Sequence, residues 1–206
     1  MASMPDADPP ALRPRYPVTT KRLLIRPLTP ADADGLLAYR SIPDVCRYVP
    51  FEPQTREELL ERIATRWTRT ELTAEGQVMI LGVQVRDTGA LAGDVMLAWQ
   101  SREHACGEIG AVFNPDLSGR GYATEALDAL LRLGFEGLGL HRIIARIDER
   151  NGASVRLVGR LGMRLEARLV ENEWFKGEWS TELDFAVLAA EWAARQGRKI
   201  MDADPG

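Results

Sequence analysis

The stretch Asn114-Pro115-Asp116-Leu117-Ser118-Gly119-Arg120-Gly121-Tyr122-Ala123-Thr124-Glu125 separates a strand-like run, CGEIGAVF (106–113), from a helical period. Pro115 ends the strand because proline cannot donate to a ladder. From Tyr122 onward Leu127, Leu130, Leu131, Gly134 and Phe135 recur at i, i+3, i+4, i+7 and i+8, the spacing of one helix face. Between them, Gly119 and Gly121 let the backbone approach a ligand closely. The unpaired N–H groups of the first helical turn, together with the helix dipole, favour an anion there. Arg120 is placed to add a charge-assisted contact of roughly 1.5–3 kcal/mol. A phosphate fits this loop, and a tight connection with no ligand is the plain alternative. The Walker pattern needs GK[ST], and the dinucleotide fingerprint needs a third glycine where Thr124 stands, so neither matches.

Working outward, Arg22-Leu23-Leu24-Ile25-Arg26 reads as a short strand. Thr29-Pro30-Ala31-Asp32 then places a cap, a first-turn proline and an acid ahead of a helix through Ala38. Thr55-Arg56-Glu57-Glu58 is a capping box, followed by Leu59, Leu60, Ile63 and Trp67 at helical spacing. QVMILGVQVR (77–86) and ALAGDVMLAWQ (90–100) flank a turn signal and predict a hairpin of central strands covered on both faces. RIIARID (142–148) is a strand, SVRLVGRL (154–161) a short helix ended by Gly162, and two strand-like runs near Leu165–Val170 and Trp179–Leu188 close the domain. The order predicts an α/β fold with a mixed, mostly antiparallel sheet flanked by helices. Residues 1–18 carry five prolines without periodicity and read as a flexible tail, 195–206 read as a second tail, and the domain is expected over 19–194.

With 26 basic against 30 acidic residues the formal charge is −4, which argues against a nucleic-acid scaffold. No apolar run approaches the ~20 residues a membrane-spanning helix needs, and MASMPDADPP lacks the basic-then-apolar pattern of a signal peptide, so a cytoplasmic protein without a membrane partner is expected. Cys46 and Cys106 lack a CxxC spacing, and with His104 and His141 they are too scattered for a metal site.

Gly119-Arg120-Gly121-Tyr122-Ala123-Thr124-Glu125-Ala126-Leu127, preceded by EIGAVF and followed by Asn151-Gly152-Ala153-Ser154 and Leu161-Gly162-Met163, resembles the GNAT family of N-acetyltransferases, RimJ/RimL type. The likeness extends from Thr20-Lys21-Arg22-Leu23-Leu24-Ile25-Arg26-Pro27-Leu28 to Glu191-Trp192. It implies acetyl-CoA as donor, an amine as acceptor (a protein N-terminus, a lysine-like group or a small molecule), and splayed fourth and fifth strands, CGEIGAVF and RIIARID. The family's pyrophosphate loop, Gln/Arg-x-x-Gly-x-Gly/Ala, maps onto Ser118, Gly119, Arg120, Gly121, Tyr122 and Ala123, with Ser118 departing from it. Backbone amides from Ser118 through Thr124 are implied to hold the pyrophosphate, and the backbone of Ala111, Val112 and Phe113 to hold the pantetheine arm. Asn151 maps to a side chain that reaches that arm, and Ser154 to a hydroxyl near the sulfur. Asn151 is equally suited to capping the helix through the Ser154 amide.

A lysine-like ammonium is only about one part in a thousand neutral at pH 7, so some group must remove its proton before it can attack a thioester. Glu108, in phase with Gly110 and Val112, resembles the carboxylate that several such enzymes use as base; an ordinary strand glutamate paired with an arginine is the alternative. A backbone N–H of Val112 or Phe113 would meet the negative charge on the thioester oxygen, and Ser154 would meet the leaving thiolate. Acceptor selection is expected from Tyr39, Arg40, Trp99 and the loop Glu171–Trp179, including Trp174. Thr181 stands where the family often has an acid. With Ser118, that absence favours a second hypothesis, a non-catalytic acyl-CoA sensor or interaction domain. A homodimer is the default expectation for so small an enzyme.

Overall fold

The computed structural model describes residues 10–202 as one eight-stranded sheet with helices against both faces. In chain order the strands are β1 (Val18–Thr19), β2 (Leu23–Pro27), β3 (Val78–Val85), β4 (Leu91–Ser101), β5 (Cys106–Phe113), β6 (Arg142–Asp148), β7 (Arg164–Phe175) and β8 (Glu178–Leu188). The helices are α1 (Ala33–Arg40), α2 (Pro43–Cys46), α3 (Arg56–Thr65), α4 (Tyr122–Arg132), α5 (Gly152–Leu161) and α6 (Ala189–Asp202). The sheet order is β1-β2-β3-β4-β5-β6-β8-β7, antiparallel throughout except between β5 and β6. The expected α/β architecture is thus the observed one; β1 precedes the strands read from the sequence, so the expected fourth and fifth strands are β5 and β6.

Strand periodicity divides the core in two. Met79, Leu81, Val95, Leu97 and Ile109 turn to the face covered by Ala126, Leu127, Leu130 and Leu131 of α4. Alternate residues, including Ile80 and Val112, pack under Leu36 and Tyr39 of α1 and Leu59 and Ile63 of α3. The capping box forms as written: Thr55 Oγ1 accepts from the Glu58 amide at 3.2 Å, and Glu58 Oε2 from the Thr55 amide at 2.8 Å. Beyond α4 the chain runs into a π turn, Leu133–Gly137, where α4 closes on β6: a Cβ on Gly134 would lie 2.6 Å from the Ile143 side chain.

The register between β5 and β6 determines where a ligand can enter. The two pair only at Cys106↔Arg142, Gly107↔Ile143 and Glu108↔Ile144, whereas β5 stays paired to β4 as far as Phe113. From Ile109 onward β5 keeps its β4 partner and loses β6, which opens the wedge that the family resemblance implies.

The ordered chain begins earlier than Thr19. Leu12 is 3% exposed and exchanges backbone hydrogen bonds with Leu72, and the Tyr16 hydroxyl donates to the Thr70 carbonyl at 2.8 Å. A single anchoring leucine among prolines has no period to betray it. α6 likewise continues through 195–202, beyond the expected boundary at 194, and the remainder of both expected tails, 1–9 and 203–206, lies outside the described residues. The expected loop at Glu171–Trp179 is strand on both sides of a tight turn, β7 reaching Phe175 and β8 starting at Glu178.

Candidate active site

Where β5 and β6 part, a cavity of about 1090 Å³ opens, walled by Ala111, Val112 and Phe113 of β5, by Ser118, Gly119 and Gly121 of the following loop, and by Tyr122, Ala123 and Thr124 at the start of α4. Gly121 is the N-cap of α4 at φ 77°, a left-handed conformation that glycine adopts without strain. The first amide bonded back into the turn is that of Glu125, to the Gly121 carbonyl, so the N–H groups of Tyr122, Ala123 and Thr124 have no partner within the helix. α5 forms the opposite wall through Asn151, Ser154, Arg156, Leu157 and Arg160, and the α2 region closes the end with Asp44, Val45, Tyr48 and Val49.

Strand alternation identifies which β5 amides face the cavity. The Asn114 amide bonds the Ala92 carbonyl of the strand partner. Counting back by twos in the regular register, the amide of Val112 also points at β4, and those of Ala111 and Phe113 point to the side β6 has left. Val112 therefore contributes its side chain to the wall while its N–H is committed to the ladder. Of the two expected oxyanion donors, only Phe113 has a free amide, and Ala111 joins it.

Arg120, expected to add charge to the loop, is exposed and does not line the cavity; its carbonyl accepts from Arg22 Nη1 at 2.7 Å. Three other guanidinium groups border the cavity, those of Arg22, Arg156 and Arg160, and all three were missed in the sequence. The i,i+4 spacing of Arg156 and Arg160 behind the Asn151 cap was the available signal for two of them.

Asn151 takes the capping role: its Oδ1 accepts the Ser154 amide at 3.1 Å. It nevertheless lines the cavity with Ser154, and among the described residues no hydrogen bond engages its amide nitrogen.

Glu108 sits at the last rung before the strands part, its side chain only 16% exposed. Gln100 Nε2 donates to Oε2 at 2.7 Å, and Arg146 Nη1 approaches the same oxygen at 3.8 Å. Burial pushes the carboxyl above its ordinary value, Asp184 adds to the rise, and Arg146 and Gln100 only partly reverse it. In register, Arg146 pairs with Asp184 and Asp148 with Glu182, which places Glu108, Arg146, Asp184 and Glu182 on one sheet face beyond the helices of the N-terminal half. Glu182 is also pushed up, first by burial and then by Asp184, and Asp184 Oδ1 is buried with no hydrogen-bond partner. Three carboxylates thus share this face with the Arg146 guanidinium, and Arg142, itself paired with Glu166, also acts on Asp184.

The expected acceptor residues are not gathered there. Tyr39 and Arg40 are buried: the Tyr39 hydroxyl donates to Asp94 Oδ1 at 2.6 Å, and Arg40 donates to both Asp94 oxygens at 2.9 and 2.6 Å. The helix end they occupy points into the core because Asp94 of β4 waits beneath it as a buried charge needing a partner. Trp99 is 2% exposed, with its indole N–H donated to the Ser101 carbonyl. Trp174 is exposed near the β7–β8 turn, edge-on to Trp179 at 5.4 Å. That turn is tied across to the α2 region by Lys176, whose Nζ donates to the Cys46 and Phe51 carbonyls at 2.7 Å each. Thr181, where an acid was expected, accepts the Glu171 amide at 3.2 Å and braces the hairpin.

Comparison with known proteins agrees with this geometry. Residues 22–164 match the family model described as an acetyltransferase (GNAT) domain. The N-acetyltransferase YnaD of Bacillus subtilis (strain 168), itself uncharacterized, is 35% identical over 175 residues, 85% of this chain and 98% of the relative. The crystal structure of a GNAT-family acetyltransferase from Bacillus anthracis superposes with a TM-score of 0.74 at 32% identity, covering 84% of this chain and 98% of that one. A spermidine N-acetyltransferase from Vibrio cholerae, solved with CoA and spermine, shares the fold at a TM-score of 0.68 and 21% identity, covering 84% of this chain and 99% of that one.

Proposed function

Because this chain belongs to the GNAT acetyltransferase family and so moves an acetyl group from acetyl-CoA to an amine, we propose that its acceptor is a cationic primary amine, deprotonated by Glu108 at the mouth of the β5–β6 wedge. The observation that supports this is the loss of β5–β6 pairing immediately after Glu108, which sets a carboxyl of raised proton affinity on β5 three residues before Ala111, where that strand begins to wall the cavity.

Acetyl-CoA supplies the activated acetyl group as a thioester. Its diphosphate fits the amides of Tyr122, Ala123 and Thr124 and the guanidinium groups around them; its thiol arm fits the wedge, held by the amides of Ala111 and Phe113 and by the Asn151 side-chain nitrogen. An ammonium entering over the face of Asp184 and Glu182 gives its proton to Glu108 at Oε1, since Oε2 is held by Gln100. A carboxyl whose affinity for protons is already raised is the better base near neutral pH. One of the two free β5 amides then donates to the oxygen that gains negative charge. The Ser154 hydroxyl, on the cavity wall, would hydrogen-bond the departing thiolate, and the proton the attacking nitrogen sheds passes to that sulfur, so the products are the acetylated amine and the free CoA thiol.

The same acidic face suits the N-terminal amine of a protein, as in the RimJ/RimL type that the motifs resemble, and free polyamines. Thiol release from acetyl-CoA, followed with ribosomal-protein N-terminal peptides, polyamines, aminoglycosides and uncharged aromatic amines, tests the reading. Turnover is expected with cationic amines and not with aromatic ones. CoA binding without turnover on any amine would overturn it in favour of the non-catalytic reading.

A further inference from the structure

The cofactor loop of this chain lacks the long polar side chain that the resembled pattern calls for: Ser118 stands at that position, exposed, and Arg120 is exposed and does not line the cavity. The side chain that turns in comes from Arg22, the residue just before β2 and about a hundred positions earlier. Arg22 borders the cavity and is held from several sides. Its Nε donates to Glu125 Oε2 at 2.7 Å, its backbone amide to Glu125 Oε1 at 2.8 Å, and its Nη1 to the Arg120 carbonyl at 2.7 Å. The guanidinium lies 5.0 Å from the centre of the Tyr122 ring. Thr20 Oγ1 adds a third donor to Glu125, at 2.6 Å, and these bonds hold the Glu125 carboxyl below its ordinary range despite burial. Among the described residues Nη2 has no hydrogen-bond partner, and it lies 3.4 Å from where a Cβ on Gly121 would stand, beside the amides that open α4.

We propose that Arg22 supplies the cation for the cofactor diphosphate that Ser118 does not, with Glu125 as the positioning residue that aims it. The inference rests on the cofactor reading of the cavity. Of five guanidinium N–H groups, the one on Nε and one on Nη1 fix the fork, and the two on Nη2 are left beside the loop. Glu125 alone would set a negative charge in the turn that receives the diphosphate; paired with Arg22, it becomes the strut for a positive one. Arg22 Nη1 also pins the carbonyl of Arg120, which fixes the peptide leading into Gly121. A residue at the entry to β2 thereby pre-forms a loop whose own side chains contribute no charge to the cavity.

Calorimetric titration of the full chain separates the alternatives, using CoA, dephospho-CoA (no 3′-phosphate) and pantetheine (no phosphate). Wild type is expected to bind all three, CoA tightest. Arg22→Gln is expected to weaken CoA and dephospho-CoA alike by about ten- to hundredfold, to flatten the salt dependence of CoA binding, and to leave pantetheine unchanged. Equal weakening of all three ligands would make Arg22 a scaffold residue only. A loss confined to CoA would move its contact to the 3′-phosphate. Unchanged CoA affinity would overturn the proposal while leaving the cofactor cavity intact, whereas a wild type that binds no CoA would remove both. If Arg22→Gln does not fold, Arg22→Lys serves instead: it keeps the charge without the fork, so CoA binding at most several-fold weaker with the wild-type salt dependence and constant pantetheine affinity is expected, and pantetheine weakened as much as CoA would overturn the proposal.

Discussion

At Glu108 the burial that prepares a base also costs the folded state something, and the two effects can be measured separately. Its carboxyl is raised first by burial, with Arg146 and Gln100 opposing. A raised acid contributes stability below its ordinary titration range, and that contribution is lost as the pH climbs through the folded-state value. At pH 7 an ionised Glu108 is therefore a net burden on the fold. Glu108→Gln is expected to lower kcat by about 10²–10⁴, to leave CoA affinity unchanged, and to melt no lower than wild type at pH 7. In wild type, kcat/KM is expected to rise with pH along a limb placed above the usual carboxylate range, and Arg146→Gln should move that limb to still higher pH by removing the main opposing charge. A Glu108→Gln enzyme with undiminished turnover would exclude this carboxylate from the chemistry. The sequence carried half of this: the phase of Glu108 with Gly110 and Val112 was legible, but the partners Gln100 and Arg146 depend on a bulge at Trp99/Ser101 and on the parallel pairing of β6, which no local pattern encodes.

Among the elements, those with local signals appear as read: the Thr55 capping box starts α3, Pro115 ends the β5 segment, and α4 buries its apolar stripe. The less legible ones depend on distant partners. β7 has no alternating pattern because it is an edge strand exposed along most of its length, and Val170 and Trp174 lie open on it. The start of α5 shows a residue with two roles at once. Asn151 caps the helix with its oxygen and faces the cavity, so sequence alone could not choose between structure and cofactor. Substitution can. Asn151→Ala removes both functions and is expected to cost about 1 kcal/mol of stability along with CoA affinity. Asn151→Asp keeps an acceptor for the Ser154 amide and favours the helix dipole, so thermal unfolding should stay near wild type, while the lost amide donor should still weaken CoA. If Asn151→Asp binds CoA as wild type does, the residue is a cap and nothing more.

Across the whole molecule, a buried charge pair helps fasten the N-terminal half to the sheet, alongside the Arg26–Asp32 pair and the apolar packing of α1 and α3. Arg40 ends α1 with both Asp94 oxygens in its fork, Gln54 Oε1 on Nη1 at 3.0 Å, and the rings of Phe51 and Trp67 at 4.3 and 4.8 Å from its guanidinium carbon. Its carbonyl accepts the Gln54 amide, so the chain from α1 through the α2 region, which walls the cavity with Val45 and Tyr48, is referenced to β4. Asp94 lies opposite Val112 in the ladder, next to the β5 segment whose amides face the ligand. None of this could be read from Tyr39 and Arg40 as sequence, because a basic residue closing a short helix reads as solvent-facing, and its partner is 54 positions away. A buried pair of this kind is costly to break from one side, since the remaining charge keeps its desolvation penalty without compensation. Arg40→Met should therefore cost about 3–5 kcal/mol, read from urea unfolding at pH 7, whereas Tyr39→Phe, which leaves the ion pair in place, should cost about 1 kcal/mol. The double variant Arg40→Met/Asp94→Asn should recover part of the Arg40→Met loss, because the orphaned charge goes with it. If Arg40→Met costs no more than Tyr39→Phe, the pair is not what fastens the α1–α2 wall to the sheet, and the cavity's shape must instead rest on the apolar packing of Leu36, Leu59 and Ile63.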